Sequence, residues 1–498
     1  MRRTLATAGR TVAFSAVTVA AAIATLAVFP LGFLRSMGIA GGLVAPLAGL
    51  ISLTVLPALF LVLGERVNAL APARWRRATE ATGRGERGAW YRLAHAIMRR
   101  PLPVALAAAT LLIVLGLPFV KIQFTGVDAT VLPPQASSRV VETALRQDFG
   151  PGVRWTAYAL VPDARAAAYA ERVGTLREVA LVLPPQRLGD GVSVVRASSG
   201  APFLDARSQR LVERLRTLDP PVGGATAGFL DQRHALGSSL PLAIALLCGV
   251  TFVLLYLATR SLVLPLKALV MNLLTISATF GILVFVFQDG RLEGLLGYRS
   301  QGALELTQPV LLFAIAFGLS TDYGIFLLTR IREAWDAGLP NREAVAVGLE
   351  RTGRIVTAAA LLFCVAVGSF ATSRVVMLKE VGIGIAVAVL IDATIVRALL
   401  VPSLMALLGG WNWWPSARGL RQRDAGEHDG RADELRRAEP LAEPRPRDDR
   451  RGDGLGHGGD RDAGGGQVPE RVHDHHERDD RPEHDVRQHQ EPHGRGQP

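Results

Sequence analysis

The chain has 498 residues, 49% hydrophobic and 20% charged, with a formal net charge of +11 and two cysteines. Both cysteines, Cys248 and Cys364, fall inside apolar runs, which excludes a disulfide framework and offers no metal-ligand spacing. Most of the arginine lies in short loops beside apolar runs, where membrane topology accounts for it, so nucleic acid is not implied; the runs themselves exclude a soluble enzyme.

Stretches of roughly 18 or more apolar residues can cross the hydrocarbon core. Eight are predicted, at 11–34, 38–63, 103–120, 239–258, 264–287, 308–329, 354–373 and 381–408. The first two form a module over residues 1–64. Arg2 and Arg3 before an apolar run also fit a signal peptide, but the segment has a counterpart later in the chain. GRTVAFSA (Gly9 to Ala16) aligns with GRIVTAAA (Gly353 to Ala360) at an offset of 344, and Gly38-Ile39 with Gly382-Ile383. After a one-residue gap, LPALFLVLG (Leu56 to Gly64) lies over VPSLMALLG (Val401 to Gly409). Transporters are commonly built from two related halves with the site between them. Residues 1–64 then read as the last two spans of a first half, and the rest of that half is expected to be missing from this chain.

Residues 65–102 form a basic linker, carrying Arg66, Arg74, Arg76, Arg77, Arg84, Arg87, Arg92, Arg99 and Arg100. Loop 330–353 carries Arg330, Arg332, Arg342 and Arg351. Eight spans from a cytoplasmic N-terminus put both loops, and the C-terminus, inside. They put 121–236, which follows the span at 103–120, outside.

Within 121–236, VRWTAYALV (Val153 to Val161) and GVSVVRAS (Gly191 to Ser198) predict strands. Segments 136–149, 164–179 and 205–218 predict helices, the last with Asp205 as N-cap. The alternation fits a small α+β layer structure without catalytic motifs, better suited to a conduit or docking surface.

The five spans of 239–408 carry the chemistry. Asp322 lies inside an apolar span, where a charge costs about 2.5–3.5 kcal/mol on insertion scales and persists when it faces the protein interior. A carboxyl in apolar surroundings favours its neutral form, so it can take up a proton on one side and release it on the other. Tyr323 offers a hydroxyl, Ser320 and Thr321 further polar atoms, and Gly318 and Gly324 room for a neighbouring helix. Asp392 and Arg397 share the last span, but five residues on an α-helix point about 140° apart, so each is expected to meet another helix. A structural ion pair is an equal reading for these two. Lys267 is expected to snorkel to the interface. Trp411, Trp413 and Trp414 read as an aromatic belt.

Residues 421–498, built from Arg, Asp, Gly, His, Glu and Pro, predict a disordered tail. The same composition fits translation in a wrong frame, and VHDHHERDDRPEHD (Val472 to Asp485) fits a metal-binding run.

GLSTDYGIFLLTR, the Asp-Ala-Thr-x-x-Arg string at Asp392 to Arg397, and the closing WNWWP resemble the MMPL family of the RND transporter superfamily, over roughly residues 4–418. The resemblance implies a multi-pass α-helical protein of the bacterial inner membrane, with 121–236 as an extracytoplasmic ferredoxin-like porter domain. It also implies proton-driven export of lipids or other hydrophobic compounds, with Asp322 and Tyr323 as the relay and the proton gradient in place of a cofactor. Lacking the first half's Asp-Tyr pair, this chain is expected to need another chain, or a second copy, to complete the pump. A non-transporting membrane subunit that binds a hydrophobic ligand, and an inactive remnant, remain alternative readings.

Overall fold

The computed structural model describes residues 9–64, 66, 88–127, 129–133, 135–148, 156–218 and 220–415. The greater part of the basic linker, the start of the strand predicted from Val153, and the tail lie outside the described residues.

The architecture is helical, with a small sheet domain between two groups of spans. Helix α1 (Arg10–Ala24) continues as a 3-10 turn, Thr25–Val28, and α2 runs Gly32–Leu63. The span predicted at 11–34 is thus interrupted. Pro30 disfavours helical backbone at the residue before it, and Phe29 is extended, with φ −72° and ψ 135°. Among the described residues, seven helices are long and apolar enough to cross a membrane, and Val12–Val28 is a shorter apolar helix. Within the linker, α3 (Ala89–Arg99) is an unpredicted amphipathic helix. Its Tyr91 donates from the backbone to Glu350 at 2.8 Å and from the hydroxyl to Glu343 at 2.7 Å. Helix α4 (Pro101–Gly116) is the next span.

After strand β1 (Phe124–Thr125) and helix α5 (Ser137–Asp148) come β2 (Thr156–Pro162), α6 (Asp163–Gly174), β3 (Leu181–Gly189), β4 (Val192–Ser198), α7 (Ala206–Arg216) and β5 (Val222–Gly223). The sheet order is β3-β4-β2-β5, with each neighbouring pair antiparallel. This βαββαβ order is the split-βαβ arrangement of ferredoxin-like domains. Apolar residues of both layers, among them Val173, Ala197, Leu211 and Leu215, fill the space between helices and sheet. Asp205 caps α7, accepting from the Arg207 backbone at 2.7 Å. On its C-terminal side the domain joins the membrane without a loop, because α8 (Ala225–Thr259) runs from inside it into the next span.

Helices α9 (Val263–Leu283) and α10 (Glu293–Leu296) lead to strand β6 (Leu304–Glu305), which pairs in parallel with β1. Helices α11 (Gln308–Asp336), α12 (Asn341–Gly368) and α13 (Val376–Ile391) complete the bundle. A π-helical segment, Asp392–Leu400, joins α13 to α14 (Val401–Leu408).

Two expectations are corrected at the end of the bundle beside α14. Trp413 is no interfacial anchor: it is fully buried, stacked on Trp335 at 4.9 Å, and donates to Asn341 Oδ1 at 3.1 Å. Lys267 does not snorkel outward; it is buried with Nζ 3.4 Å from Asn412 Oδ1. A 3-10 turn, Gly409–Trp413, folds the chain back and brings both partners within reach.

Candidate functional site: a polar cluster between three spans

Helices α9 and α11 and the π segment converge on a polar cluster in otherwise apolar spans. Asp392 and Arg397, both about 95% buried, form a direct ion pair, with Nε 2.6 Å from Oδ2. The α-helical expectation that they point apart is therefore overturned. In π-helix the backbone bonds run i to i+5, as Val401 N–H does to Val396 O, so residues five apart stack on one side. Arg397 Nη2 also donates to the Ser320 carbonyl at 2.6 Å, tying the π segment to α11.

Ser320 Oγ lies 2.8 Å from Asp392 Oδ1 and 2.8 Å from Asn272 Oδ1. One hydroxyl proton can serve only one of these acceptors at a time. Asn272 Nδ2 donates to Thr321 Oγ1 at 3.1 Å, and Thr321 donates to the Phe317 carbonyl at 2.8 Å. Asn272, buried in α9, was missed from the sequence; a lone amide in an apolar span is the same kind of signal as Asp322.

Asp322 is half-buried on the other flank of α11, on the side of Ser15 of α1. Arg397 stands within charge–charge reach of both carboxylates. The guanidinium lies over the Tyr323 ring, 5.3 Å from its centroid, a cation–π contact. Tyr323 thus reaches the cluster through its ring face.

The two glycines differ. A Cβ at Gly318 would stand 2.8 Å from Ala22 Cβ, so its absence lets α1 close on α11. At Gly324 nothing lies within 4 Å, so the expectation of close helix approach there is corrected. It lines a cavity of about 30 Å³ together with Asn272, Ser320, Thr321, Asp392 and Arg397. That volume has room for water. Arg397 Nη1, buried and without an acceptor among the described residues, belongs to a side chain that also lines a second cavity of about 10 Å³ beside Trp90. Among the described residues no group of His, Cys, Asp and Glu could hold a metal ion.

Comparison with known proteins agrees with this architecture. The family model of the MMPL family matches residues 1–104 and 206–437. A membrane protein of Streptomyces coelicolor is 41% identical over 422 residues, covering 83% of this chain and 58% of that protein. The trehalose monomycolate exporter MmpL3 of Mycobacterium tuberculosis is 35% identical over 474 residues, covering 85% of this chain and 50% of its own. The heme uptake protein MmpL11 of the same species is 33% identical over 434 residues, covering 82% and 44%. The chain thus spans roughly half the length of the curated relatives it matches. It is a multi-pass membrane protein that belongs to the MMPL family.

Proposed function

We propose that the chain is the core of a proton-coupled transporter that exports a lipid or another hydrophobic compound across the bacterial inner membrane. In this reading Asp322 and Tyr323 relay protons, and Ser320, Thr321, Asp392 and Arg397 support them. The βαββαβ domain faces outward and the C-terminus inward. The proton gradient is the energy source, and another chain or a second copy completes the pump.

The observation that carries this reading is the charge count of the buried cluster. Two carboxylates, Asp322 and Asp392, face one guanidinium, Arg397. The cluster holds one net negative charge when both acids are ionised and none after a single proton arrives. In apolar surroundings the neutral state is the cheaper one, so the site is built to accept a proton and to notice its loss.

Ser320 supplies a path for rearrangement. A proton on Asp392 would be donated to Ser320 Oγ, committing that hydroxyl to Asn272 and loosening Arg397 from its partner. Arg397 would then be free to turn toward Asp322. Helices α9 and α11 and the π segment, which share these bonds, would shift with it. A membrane potential of 100 mV supplies about 2.3 kcal/mol per charge moved, enough to bias such an exchange. The cargo class rests on the relatives, one named as a trehalose monomycolate exporter and one as a heme uptake protein, both amphipathic or hydrophobic cargoes.

The test is transport driven by an imposed pH gradient in proteoliposomes or cells carrying the protein. Asp322→Asn keeps the size of the side chain and removes its titration. We expect transport to fall roughly 100-fold or more, the scale of losing a positioned proton-transfer group. Transport that persists unchanged in Asp322→Asn would remove the relay from this reading.

A further inference from the structure

Helix α3 lies at the end of the bundle away from the sheet domain, since α4 starts at Pro101, just past Arg99, and runs toward β1. Its buried face carries Tyr91, Ala94, Ile97 and Met98, and Tyr91 is fastened to Glu350 and Glu343 of α12. The side chain next to this fastening is Trp90, which is half-buried and so belongs both to the interior and to the surface. On the inner side its indole sits against Gly353. A Cβ there would stand 2.5 Å from Trp90 Cδ2 and 2.7 Å from Cγ.

Behind Trp90 is the cavity of about 10 Å³, lined also by Thr352, Gly353, Thr357 and Arg397. That is about the space of a single water. Among the described residues Trp90 is the one member of α3 in its wall. Arg397 and Leu327 line both this cavity and the one of about 30 Å³ in the polar cluster, so a guanidinium and one apolar side chain separate the two.

Arg397 engages Asp392 through Nε and Nη2, and the Ser320 carbonyl through Nη2. Its Nη1 is left buried without an acceptor among the described residues. A buried donor without an acceptor is costly, and a water in the small cavity would satisfy it. Arginine does not give up its own protons, so a proton that leaves Asp322 or Asp392 toward this end must pass Arg397 on water. Beyond that water stands the Trp90 ring. We propose that Trp90 is a gate on the proton path: seated on Gly353 it shuts the end away from the sheet domain, and its displacement admits water to Arg397. The proposal rests on the relay reading of the polar cluster and adds to it the point where protons leave.

Two readouts on the full chain test it. With Cys248 and Cys364 replaced by serine, Thr352→Cys puts a thiol in the wall of the small cavity. Labelling of the solubilised protein by a small charged methanethiosulfonate then reports water access. Collapse of an imposed pH gradient in cargo-free proteoliposomes reports proton leak. Trp90→Ala should speed both roughly tenfold or more, because a gate open in about 10% of molecules or fewer becomes open in all. Gly353→Ala keeps the indole but pushes it off its seat, so both should rise by less; this variant decides where Trp90→Ala fails to fold. Leu93→Ala, an exposed change on the same helix, should match the parent in both. Labelling at the parent's rate in Trp90→Ala would overturn the gate, as would an equal rise in Leu93→Ala. Labelling that rises without a leak would leave Trp90 as the cover of a water pocket and overturn its place on the proton path. Should the relay reading alone fail, Asp322→Asn would transport as the parent does while Trp90→Ala still opened the cavity to labelling.

Discussion

The two copies of the repeated module, α1–α2 and α12–α14, share a backbone almost residue for residue. The 3-10 turns at Thr25–Val28 and Ser369–Thr372 stand 344 apart, as do the residues preceding the next helices. Those are Leu31 (φ −94°, ψ 120°) and Val375 (φ −93°, ψ 122°). Both modules close on a glycine with φ +51°, Gly64 and Gly409, now 345 apart. Gly38 and Gly382 repeat the same contact. A Cβ at Gly38 would be 2.5 Å from Ala27 N, and one at Gly382 3.2 Å from Ala371 N and 2.7 Å from Phe370 Cβ. The difference is one residue, and it falls where the second copy turns π-helical, at Asp392–Leu400. A single inserted residue therefore converts an ordinary span into one that holds a buried ion pair. The first copy carries no acid at the equivalent place and exposes most of α2.

Deleting Leu399, which leaves Asp392 and Arg397 five residues apart, should produce the largest effect. The deletion restores the offset of 344 and the α-helical register, which turns Arg397 away from Asp392. Breaking a buried pair costs about 3–5 kcal/mol. We expect a clear fall in thermal midpoint in detergent together with loss of transport. A variant that keeps its midpoint would show that the insertion does not hold the pair.

Gly38→Ala and Gly382→Ala sharpen the likeness rather than the difference. Each forces a methyl onto the preceding turn, at about 1–3 kcal/mol. Equal losses of stability are expected, and a large inequality would break the equivalence of the two copies. The smallest contrast is within α11. Gly318→Ala should destabilise by pushing on Ala22, whereas Gly324→Ala, with open space, should be neutral or gain up to about 1 kcal/mol of helix propensity.

The sequence made the spans, the intramembrane acids and the repeat legible, because charge in an apolar run and recurrence at one offset need no tertiary knowledge. It also showed the one-residue gap without its meaning, since the reading assumed α-helical geometry throughout. The Asp392–Arg397 pair was misjudged for that reason. Strand β3 was missed because Pro184 and Pro185 break its pattern. They are tolerated on an edge strand, where the register shifts between Leu183 and Gln186. Trp413 was misread because three tryptophans after a span look alike in sequence, and only the fold shows which one turns inward. The strands β2 and β4 and the capped helix α7 were legible from local residues alone.

Helix α8 gives the sheet domain a mechanical connection to the membrane. Only Gly224 separates β5 from this 35-residue rod, which at 1.5 Å per residue is roughly 50 Å long. Pro241 interrupts its hydrogen bonding about halfway, leaving one weak joint. The domain-side arm is roughly 24 Å long, so a bend of about 10° at that joint would swing its far end by roughly 4 Å. Work done among buried side chains can thus leave the bilayer as the stroke of a lever.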